Sequence, residues 1–305
     1  FKQKTAYEIM PSLVGSEMCI RDSLEACRLC PLGKYEKIIV GTDTSEVSME
    51  AVETAFRLAK FCKSFLFIVS VIRVNPEIIA TALDAVERIE RERYSVLERL
   101  GNRAKEENIP HKIIIHHAEQ PYKVIVDLSE KEGADAIIIG TRGRSGLKRL
   151  LLGSVAARVI GYASCPTLVI PPHIKFGWER ILLATDGSEN SNVALEEALR
   201  AADVCKSNLG IICVVKPARP AAYEKEAERI VAEAKQKALA KDIQVETIVE
   251  KGEPWEKIVE VAKKRDTNVI IMGRYGRSGL KRLLMGSVTE RVAGHAPCAV
   301  LIVPN

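Results

Sequence analysis

Short apolar runs alternate with amphipathic stretches along most of the chain. The runs KIIVGT (37–42) and RILLAT (180–185) are largely apolar and lack the polar alternation of a strand with one face in water. Such runs predict strands that are buried on both faces, as in parallel sheets covered by helices. After the first run, apolar residues recur at the i, i+3 and i+4 spacing of one helix face. These residues are Val52, Ala55, Phe56, Ala59 and Cys62.

The alternation continues through one complete α/β unit. After the first strand and helix come FLFIVSVI (65–72), a long helix from Pro76 to about Glu107, HKIIIHH (111–117), a helix from Pro121, ADAIIIG (134–140), a glycine-rich loop, a helix opening at Ser154, and TLVIP (167–171). Strands that alternate with helices predict a parallel, doubly wound, Rossmann-like sheet with right-handed crossovers. This unit therefore has five strands.

The whole pattern occurs twice. GRSGLKRLLLGS (143–154) is repeated 133 positions later as GRSGLKRLLMGS (276–287), whereas Asp43 and Asp186, after the first strand of each copy, are 143 positions apart. The first copy is therefore ten residues longer between its first strand and its loop. We predict a tandem duplication with domains at 35–172 and 178–305 and a linker at 173–177.

Residues 1–34 show neither the hydrophobic period of a helix nor that of a strand. The segment lacks the layout of a signal peptide and resembles a translated sequencing adaptor. We expect a non-native or disordered leader that packs poorly on the rest of the chain.

The two features that could carry chemistry lie at the same edge of each predicted sheet. Ligands of doubly wound sheets bind beyond the carboxyl ends of the strands, where Asp43 and the loop after strand four both fall. Gly143 and Gly153 would let backbone N–H groups approach an anion, and Ser154 would cap the next helix, whose N-terminus faces the same anion. The aspartate could accept hydrogen bonds from a ribose or help to hold a divalent metal. The sequence therefore predicts a phosphate cradle in each copy.

The spacing G-x2-G-x9-G-S, present in both loops, is neither a Walker A loop nor the dinucleotide fingerprint. With the aspartates, it resembles the universal stress protein family in its tandem form, over residues 35–305. The resemblance implies ATP binding, with Mg²⁺ placed weakly at Asp43 and Asp186 beside the nucleotide. It assigns to the first site Asp43, Val71, Gly140, Arg142, Gly143, Gly153, Ser154 and Val155. It assigns to the second site Asp186, Val214, Gly273, Gly276, Gly286, Ser287 and Val288.

The same resemblance implies that the last strands of the two copies pair around an internal pseudo-twofold axis, and it leaves a homodimer possible. Thr44 stands where the family has glycine after the aspartate, and Tyr275 replaces the basic residue that Arg142 retains. We expect binding at both sites with unequal affinity. Basic residues of the loops either neutralise phosphate or are solvated: Arg142, Arg144, Lys148, Arg149, Arg274, Arg277, Lys281 and Arg282.

Composition narrows the class of protein. The chain is 47% hydrophobic and 28% charged with a net charge of +5, and its basic residues are interspersed with acidic ones. Without a basic patch or an apolar run of bilayer length, neither nucleic acid nor a membrane is the expected partner. We expect a cytoplasmic protein with adenine nucleotide as ligand and protein partners of unknown identity.

Three functions remain open from the sequence. The first is an ATP-binding regulator of the stress response without robust catalysis, since only the two aspartates near the loops resemble catalytic groups. The second is a slow ATPase or autophosphorylating enzyme; an enzyme that splits ATP between its α and β phosphates would carry S-G-G-x-D-S after strand one, which both copies lack. The third is a nucleotide-free interaction module, against which the intact glycines argue.

Overall fold

The computed structural model describes residues 8–9, 35–74, 83–143, 152–174, 176–277 and 285–304. The first part of the chain contains β1 (Glu8–Ile9), β2 (Lys37–Gly41), α1 (Glu46–Cys62), β3 (Phe65–Arg73), α2 (Leu83–Glu106), β4 (His111–Ala118), α3 (Pro121–Glu132), β5 (Ala136–Gly140), α4 (Ser154–Tyr162) and β6 (Thr167–Ile170). The second contains β7 (Arg180–Ala184), α5 (Glu189–Cys205), β8 (Asn208–Val215), α6 (Ala222–Leu239), β9 (Val245–Lys251), α7 (Pro254–Lys264), β10 (Val269–Gly273), α8 (Ser287–His295) and β11 (Ala299–Val303).

These strands form one sheet in the order β1-β4-β3-β2-β5-β6-β11-β10-β7-β8-β9. Within each copy the five strands are parallel, and the first strand lies between the second and the fourth. The direction of winding therefore reverses beside β2 and beside β7, which creates a crevice at their carboxyl ends. The doubly wound fold predicted from the sequence is confirmed in both copies.

Both faces of this sheet are covered by helices, so the strands are buried as their apolar runs predict. Helices α1, α2, α5 and α6 pack on one face, and α3, α4, α7 and α8 pack on the other. Each face forms an apolar core that continues from one copy into the other. No helix in the described ranges is long and apolar enough to cross a bilayer.

The two copies are joined by an antiparallel pair of strands, β6 and β11, at the centre of the sheet. Leu168 lies opposite Leu301, its own counterpart in the repeat, flanked by Thr167 opposite Ile302 and Val169 opposite Val300. A residue facing its own counterpart marks the position of a twofold axis. The last strands thus pair within one chain around a pseudo-twofold axis, as the resemblance implies.

Residues 8–9, the described part of the leader, make a contact that the sequence did not predict. Glu8–Ile9 pair antiparallel with β4, at Ile114 and Ile113. Strand β4 ends the parallel sheet of the first copy, and the unpaired backbone groups of such an edge accept a further strand. The rest of the leader, the predicted helix before Leu83, and loop positions 144–151 and 278–284 lie outside the described residues.

A buried polar contact also crosses between the copies. The Tyr35 hydroxyl, just before β2, donates a 2.7 Å hydrogen bond to Glu197 of α5, and Arg200 donates to the same carboxylate. Tyr35 and Glu197 are 2% and 6% exposed. Burial, followed by the nearby Glu197 carboxylate, raises the pKa of the Tyr35 phenol well above its ordinary value. The carboxylate is thus held between a donor from each copy.

We expect Tyr35→Phe to lower the free energy of unfolding by about 1–3 kcal/mol, because a buried acceptor loses a donor. Tyr122→Phe is the matched control, since its hydroxyl donates to Gln120 at an exposed position. The measurement is urea unfolding followed by circular dichroism. Equal midpoints for the two variants would show that the Tyr35 contact does not stabilise the pairing of the copies.

Candidate functional site

The first glycine of each loop ends a strand and faces a helix. A Cβ at Gly140 would lie 3.0 Å from the carbonyl oxygen of Val47, and one at Gly273 would lie 2.8 Å from that of Asn190. Val47 and Asn190 belong to the first turns of α1 and α5. Glycine at this position therefore allows the end of the fourth strand to pack against the helix that follows the first strand.

The second glycine meets the aspartate that follows the first strand. In the second copy, Asp186 Oδ1 accepts a hydrogen bond from Ser188 N at 3.0 Å, and Oδ2 accepts one from Arg277 N at 2.7 Å. A Cβ at Gly276 would lie 2.5 Å from Asp186 Oδ2. The glycine thus gives room for the carboxylate, which holds the start of the loop.

The first copy has the same arrangement. Asp43 Oδ1 accepts a hydrogen bond from Ser45 N at 3.1 Å, and Asp43 Oδ2 occupies the position that a Cβ of Gly143 would need. The predicted meeting of aspartate and loop is therefore present in both copies, although the two segments are about 100 residues apart in sequence.

The residue after each aspartate adopts a left-handed backbone, with φ of 61° at Thr44 and 73° at Gly187. The N–H of each donates to a buried threonine hydroxyl, Thr42 in the first copy and Thr185 in the second. This backbone costs a residue with a Cβ about 1–2 kcal/mol. The substitution at Thr44 therefore strains the first copy without changing the path of its chain.

The third glycine closes the loop and starts the next helix. Gly153 N donates to Thr141 O at 2.7 Å, and Gly286 N donates to Arg274 O at 3.0 Å. The expectation that Ser154 caps α4 is wrong: Gly153 has the extended dihedrals of the N-cap residue, and Ser154 is the first helical residue. Among the described residues, no side chain caps α4 or α8.

An uncapped helix start leaves backbone N–H groups of the first turn available to an anion. Ser154 and Ser287 are exposed at these two positions, followed by Val155, which is exposed, and Val288, which is half-buried. Both helix starts therefore have exposed first residues and no side-chain cap among the described residues.

In the second copy these parts surround a cavity of about 330 Å³ at the carboxyl ends of β7, β8 and β10. Its wall includes all seven residues assigned to the second site: Asp186, Val214, Gly273, Gly276, Gly286, Ser287 and Val288. Apolar side chains form another part of the wall: Ile212, Ile230, Ile258 and Met272. One cavity thus combines an apolar wall, a carboxylate and an uncapped helix N-terminus.

Comparison with known proteins gives a result that agrees with this geometry. The model of the Universal stress protein family matches residues 34–171 and again residues 177–304. The chain belongs to the universal stress protein family. A universal stress protein of Mycolicibacterium smegmatis is 28% identical over 298 residues, covering 87% of this chain and 96% of its own length. One of Methanocaldococcus jannaschii is 38% identical over 141 residues, covering 45% of this chain and 82% of its own length.

Solved structures show the same fold. The crystal structure of a universal stress protein from Archaeoglobus fulgidus superposes with a TM-score of 0.68 at 23% identity, covering 88% of this chain and 98% of its own. This match spans both copies, so the arrangement of two α/β units in one chain is shared with that protein.

Sequence reasoning missed the contribution of α6 to the cavity of this universal stress protein. Tyr223, Glu226, Ala227 and Ile230 line it. Their spacing of i, i+3, i+4 and i+7 places them on one helix face. The spacing was visible in the sequence, but no motif distinguishes a helix face that lines a cavity from one that packs on the sheet.

The basic residues of the second loop separate into two roles. Arg277 lines the cavity, and its Nη2 lies 3.2 Å from Glu226 Oε1. Arg274 instead donates to the carbonyl oxygens of Gly161 and Ala163 at the C-terminal end of α4, in the other copy. Desolvation at this contact lowers the pKa of the Arg274 guanidinium. Arg274 is therefore neither a phosphate ligand nor a solvated side chain, contrary to both expectations.

The first copy differs at the end of its second strand. Val71 is 8% exposed, and its carbonyl oxygen accepts a 2.8 Å hydrogen bond from Nη1 of Arg93 in α2. Arg142 follows Thr141 in the loop, with its Nε buried. No group of three or more His, Cys, Asp or Glu side chains that could hold a metal ion occurs in the described ranges.

We expect Gly187→Ala to destabilise the protein more than Gly133→Ala. Both glycines have a positive φ, but a Cβ at Gly133 meets nothing within 4 Å, whereas one at Gly187 would lie 2.8 Å from Ile230 Cδ1. Backbone strain costs either variant about 1–2 kcal/mol, and overpacking adds about 1–3 kcal/mol at Gly187 alone. Urea unfolding measures both. Equal losses of stability would mean that Ile230 does not pack over the Asp186 turn.

Proposed function

We propose that this universal stress protein binds ATP, with Mg²⁺, and acts as a nucleotide-dependent regulator of the stress response without robust catalysis. The observation that carries the proposal is the cavity of the second copy, where an apolar wall, Asp186, the glycine loop and the start of α8 converge. We further infer that the protein acts in the cytoplasm, through protein partners that respond to its nucleotide state, with domains at 35–172 and 178–305.

Each part of the cavity suits one part of the nucleotide. Val214, Ile230 and Ile258 present apolar surface that fits a purine base, and a volume of about 330 Å³ is within the range of small-molecule sites. Asp186 has the acceptor oxygens that a ribose diol needs. The first turn of α8, with Ser287, offers N–H and O–H donors to phosphate.

Basic side chains that line the cavity support the same orientation of the nucleotide. Lys216, Arg219 and Arg277 line it on the polar side and would neutralise part of the phosphate charge. Asp186 is the carboxylate that would hold Mg²⁺, because Mg²⁺ commonly takes one or two carboxylates together with phosphate oxygens and water.

The hydrogen bonds of Asp186 fix the orientation of its carboxylate. Each oxygen accepts one backbone N–H, from Ser188 and from Arg277. Each oxygen keeps a further lone pair, which can accept a hydrogen bond from ribose or coordinate Mg²⁺. Slow hydrolysis is the alternative function, and product analysis after incubation with Mg-ATP tests it.

We expect denaturation of the purified chain to release adenine nucleotide, identified by ion-exchange chromatography, and the stripped protein to bind Mg-ATP in a calorimetric titration. Gly286→Val should weaken that binding by about tenfold or more, since loss of charge-assisted hydrogen bonds at the loop has this magnitude. Its side chain would enter a space where even a Cβ lies 3.4 Å from Arg274 O.

Val249→Ala, at an exposed position on β9, is the control and should bind as the unaltered chain does. Absence of both released nucleotide and binding heat would contradict the proposal and favour the interaction module. Appearance of ADP during incubation with Mg-ATP, at many turnovers per chain, would favour the ATPase.

A further inference from the structure

The helices that follow the second strand in each copy, α2 and α6, can be placed in register. Ala104 and Ala238 are fully buried near their C-terminal ends, and each carbonyl accepts a hydrogen bond from an isoleucine five residues later. This register sets Arg93 of α2 opposite Ala227 of α6, since each lies eleven residues before its alanine.

The two residues fill very different volumes at the same place. Ala227 lines the cavity of the second copy, and Val214, at the end of the neighbouring strand, remains half-buried. In the first copy, Arg93 is 8% exposed and its Nη1 donates to Val71 O at 2.8 Å and to Ser70 Oγ at 3.2 Å. The guanidinium therefore covers the end of β3, whereas the small Ala227 side chain leaves the corresponding end of β8 open.

We propose that Arg93 closes the base pocket of the first copy, so that the chain binds one nucleotide, in the second copy. This inference rests on the proposed function. For a purine to enter the first copy, Arg93 would have to leave, and the Val71 carbonyl and Ser70 hydroxyl would lose its hydrogen bonds. Buried polar groups that lose their partners are costly, so the arginine competes directly with the base.

The chain then has one open and one closed site, instead of the two sites of unequal affinity expected from the sequence. The contact of aspartate with the second loop glycine is present in both copies, so this contact does not distinguish them. The difference lies on the helix that faces the base. Arg93 thus determines which copy is selected, while the glycines and Asp43 of the first copy keep their conformation.

The test uses the full chain, stripped of nucleotide, with two readouts. Calorimetric titration with Mg-ATP gives the number of sites, and photolabelling with 8-azido-ATP followed by peptide mapping gives their location. We compare the unaltered chain with Arg93→Ala, which introduces the residue of the second copy, and with Ala227→Arg, which introduces the residue of the first. Arg91→Ala, an exposed position on the same helix, is the control.

We expect about one site in the unaltered chain and in Arg91→Ala, with label only within 177–304. Arg93→Ala should gain a second site that is labelled within 34–171, and Ala227→Arg should lose the site of the second copy. Label in both copies of the unaltered chain, or a folded Arg93→Ala that gains no site, overturns the inference.

The reciprocal variant keeps the test decisive if Arg93→Ala fails to fold. Full binding by Ala227→Arg then overturns the inference, because an arginine at this position would not exclude the base. If neither the unaltered chain nor any variant binds nucleotide or probe, the proposed function fails and the inference fails with it. Binding of two nucleotides by the unaltered chain contradicts the inference alone.

Discussion

The antiparallel pairing of β6 with β11 is the constraint on which the rest of this molecule depends. All strands within one copy are parallel, so reversal of direction at this one joint turns the two halves of the sheet in opposite directions. The carboxyl ends of β2 and β7 therefore face opposite sides of the molecule. The two candidate sites open on these opposite sides. A single small ligand cannot contact both of them.

Any influence of one site on the other must pass through the protein. The Arg274 side chain provides one direct contact between the second copy and the first. It follows β10 immediately and precedes the loop that lines the second cavity, while its guanidinium holds the C-terminal end of α4. The N-terminal end of α4 carries Ser154 and Val155, which are candidate site residues of the first copy. Thr141, the counterpart of Arg274 in the repeat, has too short a side chain to make the reverse contact.

Local features of the fold could be predicted from the sequence because they repeat with a fixed period. The apolar runs specify strands buried on both faces, and the loop and aspartate fall at one edge of the sheet once the fold is known. The contact of Asp186 with the second glycine is a finer detail that the structure adds. The predicted helix start at Ser154 is confirmed, but the N-cap is Gly153, because Gly153 has the extended backbone dihedrals of that position.

The features that sequence reasoning missed involve side chains whose partners are distant in the chain. Arg93 sits among Glu and Arg residues of a strongly charged helix, and its burial against Val71 depends on how α2 lies over β3. In the sequence, Arg274 looks like any other basic loop residue. Its contact with α4 arises only because the two copies pair through β6 and β11. The pairing of Glu8–Ile9 with an edge strand has no periodic signal at all.

The contact of Tyr35 with Glu197 has a consequence for the evolution of the duplicated chain. On the other side of the twofold axis the equivalent residues are Trp178 and Thr54, and the Thr54 hydroxyl donates within its own helix to Glu50 O. Two first halves would set tyrosine against threonine, and two second halves would set tryptophan against a buried carboxylate. At this contact the two halves are complementary to each other, because each presents different residues to the twofold axis. In this respect the chain resembles a fused heterodimer.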